Sequence, residues 1–449
     1  MARPADTDVI AAISTAPGRA GIGVVRVSGR NLSPLASRLL GALPEPRHAT
    51  RVIFGAADGK PIDDGLVLFF SSPASYTGED VLELQGHGGP VVLQMLLRRC
   101  VELGARLAEP GEFSRRAFLN NKIDLVQAEG VADLIDAATE AAARCAMRSL
   151  RGEFSDHVEG LAKQLLELRV LVEASLDFPE EELDVLDREN VRTRLRRLCE
   201  QVAGSEARGK QGSLLRSGLQ VVLAGRPNVG KSSLLNCIAG EDLAIVTEIP
   251  GTTRDIVRET IQIEGVPMNV IDTAGLRETK DKVEALGIAR TWEAIRRADV
   301  LLLVVDELTG VTAEDKMLCG GLPEKLKRVT VFNKIDMLGI APSTNETGDG
   351  WHVRLSAKSG EGVDDLRRVL LKIAGWESGA EDMFMARERH LIALKRAGEA
   401  LQRGAQVFEQ GELLAEELRL AQEELNVITG EFTADDLLGV IFGNFCIGK

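Results

Sequence analysis

The sequence predicts a multidomain chain of α/β and α architecture: a small N-terminal α+β domain, then a helical domain interrupted by an inserted α/β domain. Three observations carry this. β-Branched and apolar runs split by Gly and Pro fill the first 120 residues. The middle alternates strand-like runs with Gly-rich turns and helical patterns. Helical apolar stripes lie on both sides of that middle.

In order, "VIAAIS", "GIGVVRVSG", "HATRVIFGA" and "GLVLFFSSP" read as strands of a domain spanning residues 1–120. Apolar residues at 158, 161, 165, 168, 172 and 176 form one helical stripe, and Met385–Ile428 is rich in Leu, Ala and Glu. A domain whose ends are neighbours can be inserted into a host. Residues 121–216 and 378–449 therefore read as one helical domain, with 217–377 inserted. "DFPEEELDV" (Asp177–Val185) reads as a solvated acidic loop between helices rather than a metal site.

Composition narrows the class. Of 449 residues, 44% are hydrophobic and 27% charged, ordinary for a soluble globular chain. No run approaches a membrane span, and "MARPADTDVIAAIS" lacks the apolar core of a signal peptide. Six scattered cysteines show no CxxC or Cys/His cluster, which points to a reducing cytoplasm without a zinc site or disulfide framework. A net charge of -14 argues against simple nucleic-acid binding, so a local patch or a partner would have to supply the grip.

The strongest signal is "QVVLAGRPNVGKSSLLN" (Gln220–Asn236), an apolar run, a Gly-rich turn and a helical pattern holding G-x-x-x-x-G-K-S from Gly225 to Ser232. Glycines let backbone N–H groups close around phosphates at a helix N-terminus. Asn228, Val229, Gly230, Lys231, Ser232 and Ser233 are the candidate contacts; Lys231 reaches the β/γ-phosphates and the Ser232 hydroxyl holds Mg²⁺. "TEIPGTTRD" (Thr247–Asp255) lies at switch I spacing, adding Thr247, Glu248, Ile249, Pro250, Gly251, Thr252 and Thr253, with Thr253 a second Mg²⁺ candidate. "VIDTAGL" places Asp272 at a strand end, positioned for Mg²⁺, with Thr273, Ala274 and Gly275 near the γ-phosphate.

The base follows from two more segments. In "VFNKID", Asn333 and Asp336 can bond a guanine edge, the Lys334 stem covers the ring and Ile335 lies between. "LSAKSG" (Leu355–Gly360) offers backbone N–H groups of Ser356, Ala357 and Lys358 to the guanine carbonyl. The four segments in this order resemble the translation-factor-type GTPases, so the nucleotide should be GTP. Ras-like GTPases orient the attacking water with a Gln after the motif glycine. Here that position is Leu276, which cannot do so.

Gly-x-Pro-Asn-x-Gly-Lys-Ser, Gly-Thr-Thr-Arg-Asp, Asp-Thr-Ala-Gly-Leu-Arg and the terminal Phe-Cys-Ile-Gly-Lys together resemble the bacterial tRNA-modification GTPases of the MnmE (TrmE) family. "TAPGRAGIGVVRVSG" and "YTGEDVLELQGHGG" also look like that family's first domain, so the resemblance covers the whole chain. It implies a Ras-like P-loop GTPase domain inserted in a helical domain, behind a folate-binding-like domain that dimerises. It implies a K⁺ ion in place of an arginine finger, with ligands Asn228, Thr247, Ile249 and Thr252, completed when G domains pair in a homodimer. A general acid/base would be Glu284 in "DKVEALG", which by itself reads as a solvated helical Glu. Pro250 stands where many relatives have Ala and stiffens the loop.

The resemblance further implies a tetrahydrofolate derivative (5-formyl or methylene) on the first domain. Arg26 can meet a carboxylate in bidentate fashion, Glu83 can take the pterin N–H groups, Lys122 is a further candidate, and Lys449 can meet the ligand's carboxylates; solvated charges or intradomain ion pairs are the plainer readings. His87, between glycines, reads as a turn residue that could stack on a ligand. Cys446, fourth from the end, has the outline of a lipid anchor, but Gly448, Lys449 and the acidic upstream segment fit poorly. The family gives it a catalytic part in the modification, and its apolar neighbours Phe445 and Ile447 leave a buried thiol as the alternative.

The expected function is therefore a K⁺- and Mg²⁺-dependent GTPase. With an FAD-dependent partner of the MnmG (GidA) type, in a heterotetramer, it would add an aminomethyl or carboxymethylaminomethyl group to C5 of the wobble uridine of certain tRNAs. Two rivals are a ribosome-assembly GTPase, which wants a basic RNA-binding surface, and a folate-binding module whose G domain only senses nucleotide.

Overall fold

The computed structural model describes residues 8–177, 185–239, 258–272, 296, 298–320, 323, 326–377, 383–430, 441–443, 445–446 and 448. The chain falls into two compact units: Met1–Ala132 with Leu150–Lys163 and Gln422–Lys449, and Asp133–Ser149 with Gln164–Ala421.

In the first unit, β1 (Ile10–Ile13), β2 (Ala20–Gly29), α1 (Ser33–Leu40), β3 (Thr50–Gly55), β4 (Pro61–Phe70), β5 (Asp80–Gly88), α2 (Pro90–Glu102) and β6 (Arg106–Leu107) follow in sequence. The four runs read as strands are β1 to β4. The sheet order is β3-β4-β5-β2-β1-β6, antiparallel except where β6 pairs with β1. Strand alternation sends Val25, Val27, Val67, Leu82 and Leu84 to one face, where Leu35 and Leu39 of α1 and Leu93, Leu96 and Cys100 of α2 bury them. Burial pushes the Cys100 thiol up to about 12, so it packs as a small hydrophobe.

Helices α3 (Glu112–Leu119) and α4 (Leu125–Ile135) follow. Arg116 of α3 is 1% exposed, and both of its terminal nitrogens are partnered. It donates to Glu79 Oε2 at 3.0 Å, Glu112 Oε1 at 3.0 Å, the Asp8 carbonyl at 2.9 Å and Asp8 Oδ1 at 3.1 Å. Glu112 also accepts from Arg106 and from the Glu109 N–H. This network ties both ends of the sheet domain's chain to α3.

The second unit contains α5 (Glu140–Leu150) and the long helices α6 (Glu153–Asp177) and α7 (Val185–Ser217) in whole or part. The stripe at 158, 161, 165, 168 and 172 is buried as the periodicity requires, while Leu176 is exposed at the helix end. The acidic loop expected at 177–185 lies almost wholly outside the described residues. Then come β7 (Leu219–Ala224), α8 (Lys231–Ala239), β8 (Arg258–Ile263), β9 (Val266–Asp272), β10 (Val300–Asp306), α9 (Ala313–Gly320), β11 (Lys327–Asn333), β12 (Ser343–Thr347), β13 (Gly350–Arg354) and α10 (Val363–Ala374). Their sheet order is β12-β13-β11-β10-β7-β9-β8, with β13, β11, β10, β7 and β9 parallel and the two edge strands antiparallel. Central β10, "VLLLVVD", is buried along both faces, which is why it reads as a continuous apolar run. Helices α11 (Glu388–Gln406) and α12 (Gly411–Thr429) follow, and Gly398 of α11 meets Val202 of α7. Among the described residues no helix is long and apolar enough to cross a membrane.

The Glu112 network has a measurable consequence. Burial alone would raise the Glu112 carboxyl, but hydrogen bonds from Arg106, the Glu109 N–H and Arg116 outweigh it and hold the group below its ordinary range. A depressed carboxyl stabilises the fold above its unfolded pKa of about 4.3, and that share is lost as pH falls through the lower folded value. Glu112→Gln, which leaves two guanidinium groups short of a partner, should cost about 3–5 kcal/mol and flatten the acid limb. Hydrogen exchange of the β1 and α3 amides, followed against pH, measures both effects.

Candidate functional site

The first candidate site lies at the C-terminal ends of the parallel strands, where open α/β sheets bind ligands. β7 ends at Ala224, the chain turns through residues 225–230, and α8 begins at Lys231. Asn228 sits in the left-handed region at φ 64, a conformation costing about 1 kcal/mol or more for a non-Gly residue. Lys231 Nζ donates to the carbonyls of Gly225 at 2.7 Å and Arg226 at 3.2 Å, curling the loop around its own ammonium. Ser232 and Ser233 stand exposed on the first turn of α8, whose N–H groups face the loop.

Asn333, at the end of β11, joins the parts. It is 2% exposed. Its Nδ2 donates to the Val229 carbonyl at 2.8 Å, and its Oδ1 accepts from the N–H groups of Lys334 at 2.8 Å and Ala357 at 2.9 Å. One buried amide therefore ties the phosphate loop to both base loops. The sequence reading aimed Asn333 at guanine and missed this tie. Gly230 has to be glycine for the same reason: a Cβ there would stand 2.4 Å from Asn333 Nδ2, at a backbone φ of 97.

The base loops are held from beneath. Ile335 is buried, and Asp336 is exposed with Oδ1 accepting from Ser356 Oγ at 2.7 Å. That bond fixes the carboxylate's direction. Ser356 is itself buried and also receives the N–H of Ser359 at 3.2 Å, while Lys358 is exposed. Lys334 sits at φ 70 with Nζ 2.9 Å from Asp306 Oδ2. Asp272 ends β9 in register with Leu223 of β7. Thr247, Glu248, Ile249, Pro250, Gly251, Thr252, Thr253, Thr273, Ala274, Gly275 and Glu284 lie outside the described residues. Among the described residues no group of three or more His, Cys, Asp and Glu could hold a metal ion.

A second cluster forms in the first unit. Arg26 on β2 and Glu83 on β5 are register partners, and Nε and Nη2 of Arg26 donate to Glu83 Oε1 at 3.1 and 2.8 Å. The guanidinium lies 5.5 Å from the Tyr76 ring and 5.8 Å from the Phe113 ring. Tyr76 bonds Ser114 Oγ at 2.8 Å. Burial raises its hydroxyl pKa, against the opposing pull of Ser114 and the Arg26 charge. Sequence reasoning missed Tyr76 and Phe113; the signal was there, since Tyr76 is the chain's single tyrosine and opens "YTGED".

The tail comes to the same unit. Gly111 caps α3, and its N–H donates to the Cys446 carbonyl at 3.3 Å. A Cβ on Gly111 would meet the Phe442 carbonyl at 2.5 Å, so glycine is needed for the tail to lie there. Phe442 and Phe445 are buried with ring centroids 5.3 Å apart, and Ser14 Oγ donates to the Gly448 carbonyl at 3.1 Å. Cys446 itself is exposed, so the buried-thiol alternative does not hold. Lys122 is exposed, Lys449 lies outside the described residues, and His87 is exposed with Nδ1 2.7 Å from Asp63 Oδ1.

Two family models match the chain: residues 9–122 match the GTP-binding protein TrmE N-terminus, and residues 125–446 the MnmE helical domain. The chain is 61% identical over 447 residues to the tRNA modification GTPase MnmE of Dechloromonas aromatica (strain RCB), covering 99% of this chain and 100% of that one. It is 61% identical over 446 residues to the tRNA modification GTPase MnmE of Thiobacillus denitrificans, covering 99% of each. Among solved structures, the G domain of the T. maritima FeoB iron transporter aligns with 35% of this chain and 98% of its own, at 28% identity and a TM-score of 0.26. With these models matching residues 9–122 and 125–446 and relatives 61% identical over 99% of this chain, the chain belongs to the MnmE (TrmE) family.

Proposed function

We propose that this chain hydrolyses GTP as its part in tRNA modification, the activity its relatives' names carry. The observation that supports it most is the Asn333 tie, which assembles a phosphate loop and two base loops into one cradle. The exposed Asp336 carboxylate, held by Ser356, suits the paired N–H groups of a guanine edge.

In this reading Mg²⁺ is held by Ser232 and Thr253, and K⁺ by Asn228, Thr247, Ile249 and Thr252. Of these, Asn228 and Ser232 are described, and both are exposed oxygen donors beside the loop, which suits hard cations. When bound, such cations offset the negative charge that builds on the phosphates. Lys231 releases its loop carbonyls to meet the β/γ-phosphates, and Glu284 takes the proton of the attacking water.

Residues 1–120 form the dimerisation and folate domain, 121–216 with 378–449 the helical domain, and 217–377 the G domain. Arg26, Glu83, Lys122 and Lys449 would hold a tetrahydrofolate derivative (5-formyl or methylene). That requires Glu83 to exchange its Arg26 bond, at least in part, for ligand N–H groups. Cys446, exposed beside the domain, serves the modification chemistry. A homodimer works with an FAD-bearing MnmG/GidA-type partner in the cytoplasm and acts on C5 of the wobble uridine.

Two measurements test this. GTP turnover in K⁺ should exceed that in Na⁺ by about 10²-fold, the scale on which one transition-state charge contact acts; equal rates remove the cation role. Mass spectrometry of tRNA nucleosides from cells lacking the chain should show loss of C5-substituted wobble uridines. Normal nucleosides with defective ribosomal subunits would favour an assembly GTPase instead.

A further inference from the structure

Asp306 closes β10 and lies in register beside Asn333 of β11, so Lys334 emerges one residue beyond it. The turn after Asp306 is built on Asp306 itself. Its carbonyl accepts from the N–H groups of Thr309 at 3.1 Å and Gly310 at 2.9 Å, and its Oδ1 accepts from Leu308 N–H at 3.0 Å. The carboxylate is thereby oriented before any contact with the base loop, and Oδ2 receives Lys334 Nζ at 2.9 Å. The Lys334 ammonium, first among several causes, holds the Asp306 carboxyl below its ordinary range.

Lys334 is an unusual residue for its place. At φ 70 a glycine or asparagine would be less strained. A lysine kept there implies that its side chain is used. Its backbone N–H is fixed by Asn333 Oδ1 and its head by Asp306, so the four-carbon stem is pinned at both ends. The phosphate loop reaches the same turn: Arg226 Nη2 donates to Thr309 Oγ1 at 3.1 Å.

We propose that Asp306 is a positioning residue of the nucleotide site, holding the Lys334 stem as a fixed cover for the purine and so setting guanine-nucleotide affinity. The inference rests on the GTP reading. A free lysine must give up side-chain freedom each time it covers a base. Anchoring the head at Asp306 removes most of that loss in advance, for GDP and GTP alike. The effect therefore falls on binding more than on the chemical step.

The test is a double-mutant cycle on the full chain. Asp306→Asn keeps an acceptor for Leu308 and removes the charge; Lys334→Met keeps the stem and removes the ammonium. Kd is measured with a fluorescent GDP analogue, and KM and kcat with GTP. Each single variant should weaken GDP and raise KM by about tenfold, a loss of one such ion-pair constraint, with kcat at saturating GTP falling by less. The double variant should bind no more weakly than Lys334→Met alone. Unchanged Kd in Asp306→Asn, additive losses in the double variant, or a fall in kcat at unchanged KM would each overturn the proposal. Failure of the unaltered chain to bind GDP would overturn the GTP reading and this inference with it.

Discussion

A single buried carboxamide holds the nucleotide site together. Asn333 sits where β11 ends, and its two polar atoms span the Val229 carbonyl on one side and the Ala357 N–H on the other. These groups belong to loops more than a hundred residues apart at one end and 24 apart at the other. Buried polar atoms are expensive to leave unpaired, so loss of the Asn333 amide would take this partner from both the Val229 carbonyl and the Ala357 N–H. The parallel register of β7, β10 and β11 brings the strand ends close enough for this tie to form.

The same logic of prior orientation recurs around it. Ser356 turns Asp336, and Asp306 holds Lys334. In each case a side chain expected to meet the ligand is fixed by a neighbouring side chain. Two non-glycine residues, Asn228 and Lys334, are kept in the left-handed region within this small volume. Such backbone strain persists where the surroundings impose it. In the first unit, the tail is held by Gly111 and Ser14 and by the buried pair Phe442 and Phe445, which leaves Cys446 exposed.

What could be read from the sequence divides along physical lines. The phosphate loop was legible because few residue orders allow a backbone to wrap an anion at a helix start. The strands of the first unit and the stripe on α6 were legible because alternation and 3.6-residue spacing are local. Long-range pairing was not. That Arg26 faces Glu83 depends on the register of β2 against β5, set by the whole sheet. The dual use of Asn333 and the part played by Asp306 depend on strands meeting in register, for which no single stretch carries a mark. Tyr76 and Phe113 went unremarked in the sequence, because only the fold brings both rings to one guanidinium.

The phosphate loop and the base loops form one cradle through Asn333. Hydrogen exchange on Asn333→Ala, with and without GDP, tests it most directly. Protection should fall together at the α8 amides following Val229 and at the Ala357 amide, and GDP binding should weaken with it. Faster exchange confined to the base loops, with the phosphate loop as protected as before, would contradict it.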